Sequence, residues 1–388
     1  MKKLLFIAFA FQLSLSAFSQ SDAEILKRVL SEIKLIKSAS YYEKSSASAP
    51  YDTLMVHSYE RFIKFYINPE DPFIGAGFSS AFIEDSLKYD FCYDGNYAID
   101  FNWNNKSVHI DTLKEKNFNN YIAPFFIFTK AILDYVVDNY DSVQVSIKNF
   151  NDTLKVNMNI KGKIVEFSTG KAKTRYDSKI TSKYVLWINK KTNLPFKVER
   201  DMPHQKTIES ISNLKYSYEK PQKFVAASLI PAKFTTNNEE NNSSSPYNLK
   251  NKIAPDWELM DINGDSISLN ELKSKIILIQ FTGIGCGPCH ASIPFLKSLM
   301  EDYNKKGFEL LQIETTNANI KALKSYHDKN EINCNYLLSN KKINSDYKIK
   351  GVPVFIILND KRIVKNVIVG FRKGETEQVI IEALNQLL

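Results

Sequence analysis

The chain has 388 residues, 44% of them hydrophobic and 24% charged, and a net charge of +8 to which Lys2 and Lys3 contribute two. That length suits two or more domains. The surplus of Lys and Arg is small and interleaved with acids, which argues against a nucleic-acid partner, and four cysteines are too few for a disulfide scaffold.

Residues 1–19 read as a secretory signal. Lys2 and Lys3 supply the charged start, Leu4 to Leu15 an apolar core, and Ala17-Phe18-Ser19 a small-x-small cleavage site before Gln20. The apolar stretch is too short for a transmembrane helix, and nothing later in the sequence spans a membrane. No cysteine lies near the cleavage point to carry a lipid. The expected product is a soluble protein of the periplasm or cell envelope.

Residues 20–234 predict an α+β, antiparallel β-rich N-terminal domain. Ser21-Asp22-Ala23-Glu24 is a capping box, followed by Ile25, Leu26, Val29, Leu30, Ile33 and Ile36 on one helical face. Strand composition then marks Tyr51–Ile67, Lys88–Asn102, Ser107–Thr112, Ser142–Lys148, Thr153–Ile160, Lys163–Thr169, Lys183–Asn189, Phe196–Arg200 and Thr207–Ser217. Turn signals such as Asp94-Gly95-Asn96 and Lys161-Gly162 separate them, and Tyr121 to Tyr140 reads as a second helix. The hairpin Tyr184–Asn189 and Leu194–Val198 resembles the LolA/LolB-like lipoprotein-carrier half-barrel, an implication resting on that pattern and strand order. An apolar concavity of that kind suits a lipid or peptide; packing of those side chains on the helices is the simpler expectation. The polar stretch 235–252, rich in Asn and Ser, predicts an interdomain linker.

From 253 onward the pattern changes. Ile276-Ile277-Leu278-Ile279-Gln280-Phe281 predicts a strand buried on both faces, and Ile293, Leu296, Leu299, Met300 and Tyr303 recur at helical spacing. Between them lies Cys286-Gly287-Pro288-Cys289. Two thiols three positions apart meet across one tight turn, and a first cysteine at a helix mouth gains thiolate stability from unpaired N–H groups and the helix dipole. A Cys-x-x-Cys pair also serves as half of a zinc site, but no second pair and no Cys/His cluster lies near, and His290 directly follows Cys289. We therefore read the pair as a redox-active dithiol with no metal or bound cofactor. Pro294 should kink the helix. Phe308–Glu314 (strand), Asn317–Lys329 (helix), the apolar strand within Gly351–Leu358, Ile363–Val369 (strand) and Thr376–Leu388 (helix) follow. Pro353 opens its strand, the position a proline tolerates and where a cis bond fits.

Residues 253–388 resemble the thioredoxin fold in its TlpA/ResA-like, extracytoplasmic thiol-disulfide oxidoreductase branch. The matching features are Ala254-Pro255-Asp256-Trp257-Glu258-Leu259, the Asp261–Ser268 hairpin with Asn263-Gly264, the Leu269–Leu272 turn, the CGPC, Pro294 and Gly351-Val352-Pro353. The resemblance implies an α/β thioredoxin-like domain in which Cys286 attacks, Cys289 resolves and Pro353 is a cis-proline facing them. Val352 would then lie beside the sulfurs, and Gly287 and Pro288 shape the turn. Three departures stand out. Gly285 replaces a common tryptophan, Gln280 a buried aspartate, and Ser292 a glutamate, so no familiar base for Cys289 is present. Glu314 is a substitute candidate whose simpler reading is a solvated strand-end carboxylate. Cys92 and Cys334 read as small buried residues, with a disulfide between them as the alternative. The five histidines show no ligand spacing.

The expected function is reduction of disulfides in exported proteins, with polypeptide disulfides as substrates and a membrane electron donor as partner. The alternatives are a thiol peroxidase, disfavoured because Ile279 and Gly283 stand where Pro and Thr are wanted, and a lipid or polypeptide carrier whose thiols are incidental.

Overall fold

The computed structural model describes residues 22–388 apart from 51, 53–55, 113–122, 166–171, 175–180, 237–244 and 304–305. The signal predicted at 1–19 and the centre of the predicted linker lie outside the described residues. Contacts divide the chain into two compact units. One comprises the chain up to Ser46 with Ser58–Met202 and Thr207–Glu239; the other is Glu240–Leu388 with the short segments Ala47–His57 and Pro203–Lys206.

The first unit begins with α1 (22–35), whose Leu26, Val29, Leu30 and Ile33 are buried at the predicted three-to-four spacing. Strands β1 (Ser38–Ser48), β2 (Val56–Ile67), β3 (Ala76–Ala81), β4 (Tyr89–Tyr93), β5 (Ala98–Asn102) and β6 (Ser107–Asp111) precede α2 (Phe125–Asp138). After it come β7 (Gln144–Asn149), β8 (Thr153–Lys161), a small hairpin β9 (Lys163–Val165) and β10 (Ala172–Thr174), then β11 (Thr181–Asn189), β12 (Leu194–Met202), β13 (Gln205–Ser217) and β14 (Thr235–Thr236). Among the described residues twelve of these strands make one sheet, in the order β14-β6-β5-β4-β3-β2-β1-β13-β12-β11-β8-β7. The pairings from β2 to β6 and among β12, β11, β8 and β7 are antiparallel.

The predicted segment Lys88–Asn102 is two strands joined at the predicted Asp94-Gly95-Asn96 turn. Asp94 turns the chain by accepting from the Asn96 and Tyr97 amides, both at 2.9 Å, and Gly95 takes a positive φ of 91°. One face of the sheet is covered by helix. Tyr41, Phe65, Tyr184, Leu186 and Val198 share a core with Phe125, Phe126, Phe128, Ile132 and Leu133 of α2, so the Tyr184–Val198 hairpin spends its apolar side chains on helix packing.

In the second unit Pro246–Leu249 forms a helical turn whose Leu249 joins the core of the domain. The hairpin β15 (Glu258–Met260) and β16 (Ser266–Ser268) turns at Gly264 (φ 100°), with Asp261 Oδ1 accepting from Asn263 and Asp265 amides. Then come β17 (Ile276–Thr282), α3 (Gly287–Tyr303), β18 (Phe308–Glu314), α4 (Ile320–Lys329), β19 (Asn335–Leu338), α5 (Lys341–Asp346), β20 (Val354–Leu358), β21 (Val364–Val369) and α6 (Glu375–Asn385). The sheet order is β19-β18-β17-β20-β21, parallel across β19, β18 and β17 and antiparallel beyond.

Every residue of β17 is buried because the strand is central and covered on both sides. Ile277, Ile279 and Phe281 face a core with Trp257, Leu259 and Tyr347. Ile276 and Leu278 face Leu296 and Leu299 of α3 and Ile380 and Leu384 of α6. Pro294 lies inside α3, which continues through it. This is the thioredoxin arrangement, and it presents the β17–α3 junction at the carboxyl end of the parallel strands.

Candidate active site

Beyond Thr282 the chain crosses Gly283-Ile284-Gly285 and enters α3 at Gly287. Cys286 therefore occupies the N-cap, and the Cys289 amide donates to its Sγ at 3.1 Å, the bond a serine or aspartate makes at such a position. The two sulfurs are joined as a disulfide. On reduction the same amide and the positive end of α3 face the Cys286 sulfur, stabilising a thiolate there. Pro288 sits in the first turn, where a missing N–H costs no helical bond. Cys289 is 1% exposed, whereas Cys286 is half-buried. Access therefore differs between the sulfurs, as sequential attack and resolution require.

The Val352–Pro353 peptide bond is cis, and the Val352 carbonyl oxygen lies 3.6 Å from Cys286 Sγ. His290, next in the helix, contacts the Tyr326 hydroxyl through Nδ1 at 3.2 Å. Burial lowers its pKa, which disfavours a cation beside the thiols.

Beneath the dithiol lies a chain of neutral polar groups. Gln280 Nε2 donates to Ser292 Oγ at 2.9 Å, and that hydroxyl donates to the Cys289 carbonyl at 2.7 Å. Gln312 Nε2 donates to Gln280 Oε1 at 2.6 Å from the facing position of β18. All three side chains are buried. Gln280 and Ser292 thus bond to each other, satisfying an amide and a hydroxyl that burial would otherwise penalise. Both were singled out in the sequence; Gln312 was not, although it interrupts an apolar strand opposite Gln280.

The solvated reading of Glu314 is wrong. The side chain is 2% exposed and accepts five hydrogen bonds. Oε2 takes the Ile284 amide at 3.1 Å and the Tyr336 hydroxyl at 2.8 Å, while Oε1 takes Thr316 N, Thr316 Oγ1 and Asn317 N. Burial pushes its pKa up and the donors pull against that. Its role is to pin the loop two residues before Cys286. The sequence signal was the run Thr315-Thr316-Asn317, which supplies donors just past the strand. Gly283 belongs to the same arrangement, because a Cβ there would lie 2.6 Å from Thr316 Oγ1.

Cys92 and Cys334 are free thiols, so the alternative of a disulfide between them fails. Cys92 is buried among Ile99, Phe101 and Val108. Cys334 contacts Gln312 Oε1 at 3.7 Å, and burial pushes its pKa to about 12. Burial disfavours the thiolate form of both. Among the described residues no group of three His, Cys, Asp or Glu side chains is placed to hold a metal, and no helix is long and apolar enough to cross a membrane.

A central mixed sheet, a dithiol at a helix mouth and a facing cis-proline define a dithiol oxidoreductase domain of thioredoxin fold. A family model described as the AhpC/TSA family matches residues 251–367. The thioredoxin-like protein YneN of Bacillus subtilis (strain 168) is 30% identical over 128 residues, which span 32% of this chain and 75% of that protein. The thiol-disulfide oxidoreductase ResA of Bacillus anthracis is 28% identical over 128 residues, 32% of this chain and 73% of its own. Among solved structures, the thioredoxin domain of a thiol-disulfide oxidoreductase from Bacteroides vulgatus is similar at 23% identity and a TM-score of 0.31, covering 35% of this chain and 96% of that one. The chain belongs to the thioredoxin-like proteins, and it is similar to proteins named thiol-disulfide oxidoreductases.

Proposed function

We propose that the chain reduces disulfides in proteins outside the cytoplasm, with Cys286 as the attacking and Cys289 as the resolving thiol. The observation that carries this reading is the Cys289 amide on Cys286 Sγ together with the near-complete burial of Cys289. In the reduced state the Cys286 thiolate attacks one sulfur of a substrate disulfide. That bond breaks, one substrate sulfur leaves as a thiolate, and a mixed disulfide forms. The Cys289 thiolate then attacks Cys286 Sγ, releases the second substrate sulfur and closes the Cys286–Cys289 disulfide. Two electrons have passed to the substrate, and a membrane donor is the proposed source of their replacement. Val352, before the cis-proline, offers its backbone to an extended substrate strand. Gly287 and Pro288 hold the turn, and Gln280 supports it from below through Ser292. The β-rich unit is read as the recruiting module, and residues 1–19 as the export signal.

Trapping tests the proposal. A Cys289→Ala chain should accumulate mixed disulfides through Cys286 with exported polypeptides, and a Cys286→Ser chain should accumulate none. Equilibration with glutathione at a strongly oxidising potential would sink the reductive direction. Rapid peroxide consumption that needs Cys286 alone would favour the peroxidase alternative, which the AhpC/TSA match keeps in view.

A further inference from the structure

The β-rich unit contains a cavity of about 590 Å³ that the dithiol chemistry does not use. It is lined by residues from within β1 to β6 together with Ala123 and Pro124, just before α2. We propose that this cavity binds an organic cation, a primary ammonium or guanidinium group, held by the carboxylates of Glu43, Asp90, Asp100 and Asp111.

Three observations support it independently. Glu43 lines the cavity, is 6% exposed, and accepts no hydrogen bond from any described residue. A buried carboxyl without a donor is unfavourable, so such a group marks a place awaiting a donor. Asp90 has the same deficit on one atom. Its Oδ2 takes Arg61 Nε at 2.5 Å, while its Oδ1 is buried and has no partner. Finally, the lining holds four carboxyls against one guanidinium and one imidazole, with the rings of Tyr59, Phe78 and Phe91 among them. Unsatisfied acceptors, excess negative charge and aromatic faces together specify a cation that donates hydrogen bonds.

A bare divalent ion fits less well. It needs several oxygens converging on one point, and no such group occurs among the described residues. The ammonium could belong to a free polyamine or to a lysine side chain of a polypeptide. Burial raises the Glu43 pKa to about 7, in keeping with a carboxyl that lacks its counter-charge.

Isothermal titration of the whole chain decides the matter, with three probes: spermidine, a blocked Gly-Lys-Gly peptide, and a blocked Gly-Glu-Gly peptide. Saturable binding of either cationic probe is expected, and the stronger of the two identifies the source. Glu43→Gln or Asp100→Asn should weaken it by about tenfold, the loss of one charge-assisted hydrogen bond. Disulfide reduction by these variants should match the parent chain, which separates this site from the dithiol. The proposal is overturned if no probe binds saturably, if the glutamyl peptide binds equally well, if neither substitution weakens binding, or if calcium chloride displaces both cations stoichiometrically.

Discussion

Replacing Glu314 by alanine should loosen the approach to Cys286 more than any single change on the surface of the domain. The substitution leaves five donors without their acceptor. Those of exposed Thr316 and half-buried Asn317 find water, but the Ile284 amide and the Tyr336 hydroxyl belong to residues no more than 1% exposed. Each buried donor left unsatisfied costs about 1–3 kcal/mol. Relief from burying the carboxylate offsets part of the sum, so a net loss of about 3 kcal/mol is expected. Native-state hydrogen exchange reads this directly as roughly a hundredfold faster exchange at the Ile284 amide. Glu314→Gln should recover less than half, because its amide nitrogen turns a donor toward donors. Both variants should reduce insulin more slowly, since Cys286 follows Ile284 by two residues. Exchange at Ile284 within threefold of the parent would refute the pinning role.

Two further substitutions probe the buried polar groups. Gln280→Asp places a carboxyl on Ser292 and Gln312 with no cation beside it, and should cost about 2–4 kcal/mol at neutral pH. Its folded pKa would be raised, so the penalty is absent at low pH and grows as pH climbs through that value; equal stability at pH 5 and pH 8 would show the site to be wet. In the β-rich unit, burial raises Glu43 from the ordinary 4.5 to about 7, and burial followed by the charge of Glu43 raises Glu209. A raised folded value means the native state holds its proton more tightly, so this stabilisation is complete below about 4.5 and lost by about pH 7. Glu43→Gln should flatten the fall in melting temperature between pH 5 and pH 8, and an unchanged slope would contradict the assignment.

The redox half of this protein was readable in one dimension. An apolar run, a Cys-Gly-Pro-Cys and a periodic helix are local patterns, and together they place a dithiol at a strand-to-helix junction. Strand β1 escaped because Ala39, Tyr41, Glu43 and Ser45 fill its buried positions with no β-branched side chain. Other features depend on which strands lie side by side. Gln280 meets Gln312 only because β17 and β18 pair in that register, and Glu314 reaches Ile284 across thirty residues of sequence. Burial follows the same logic, since a carboxylate at a strand end looks solvated until helix and loop close over it. Residue types and spacing determined the reaction, while the choice of which polar groups support it was left to tertiary packing, because hydrogen-bond partners are selected by distance in space.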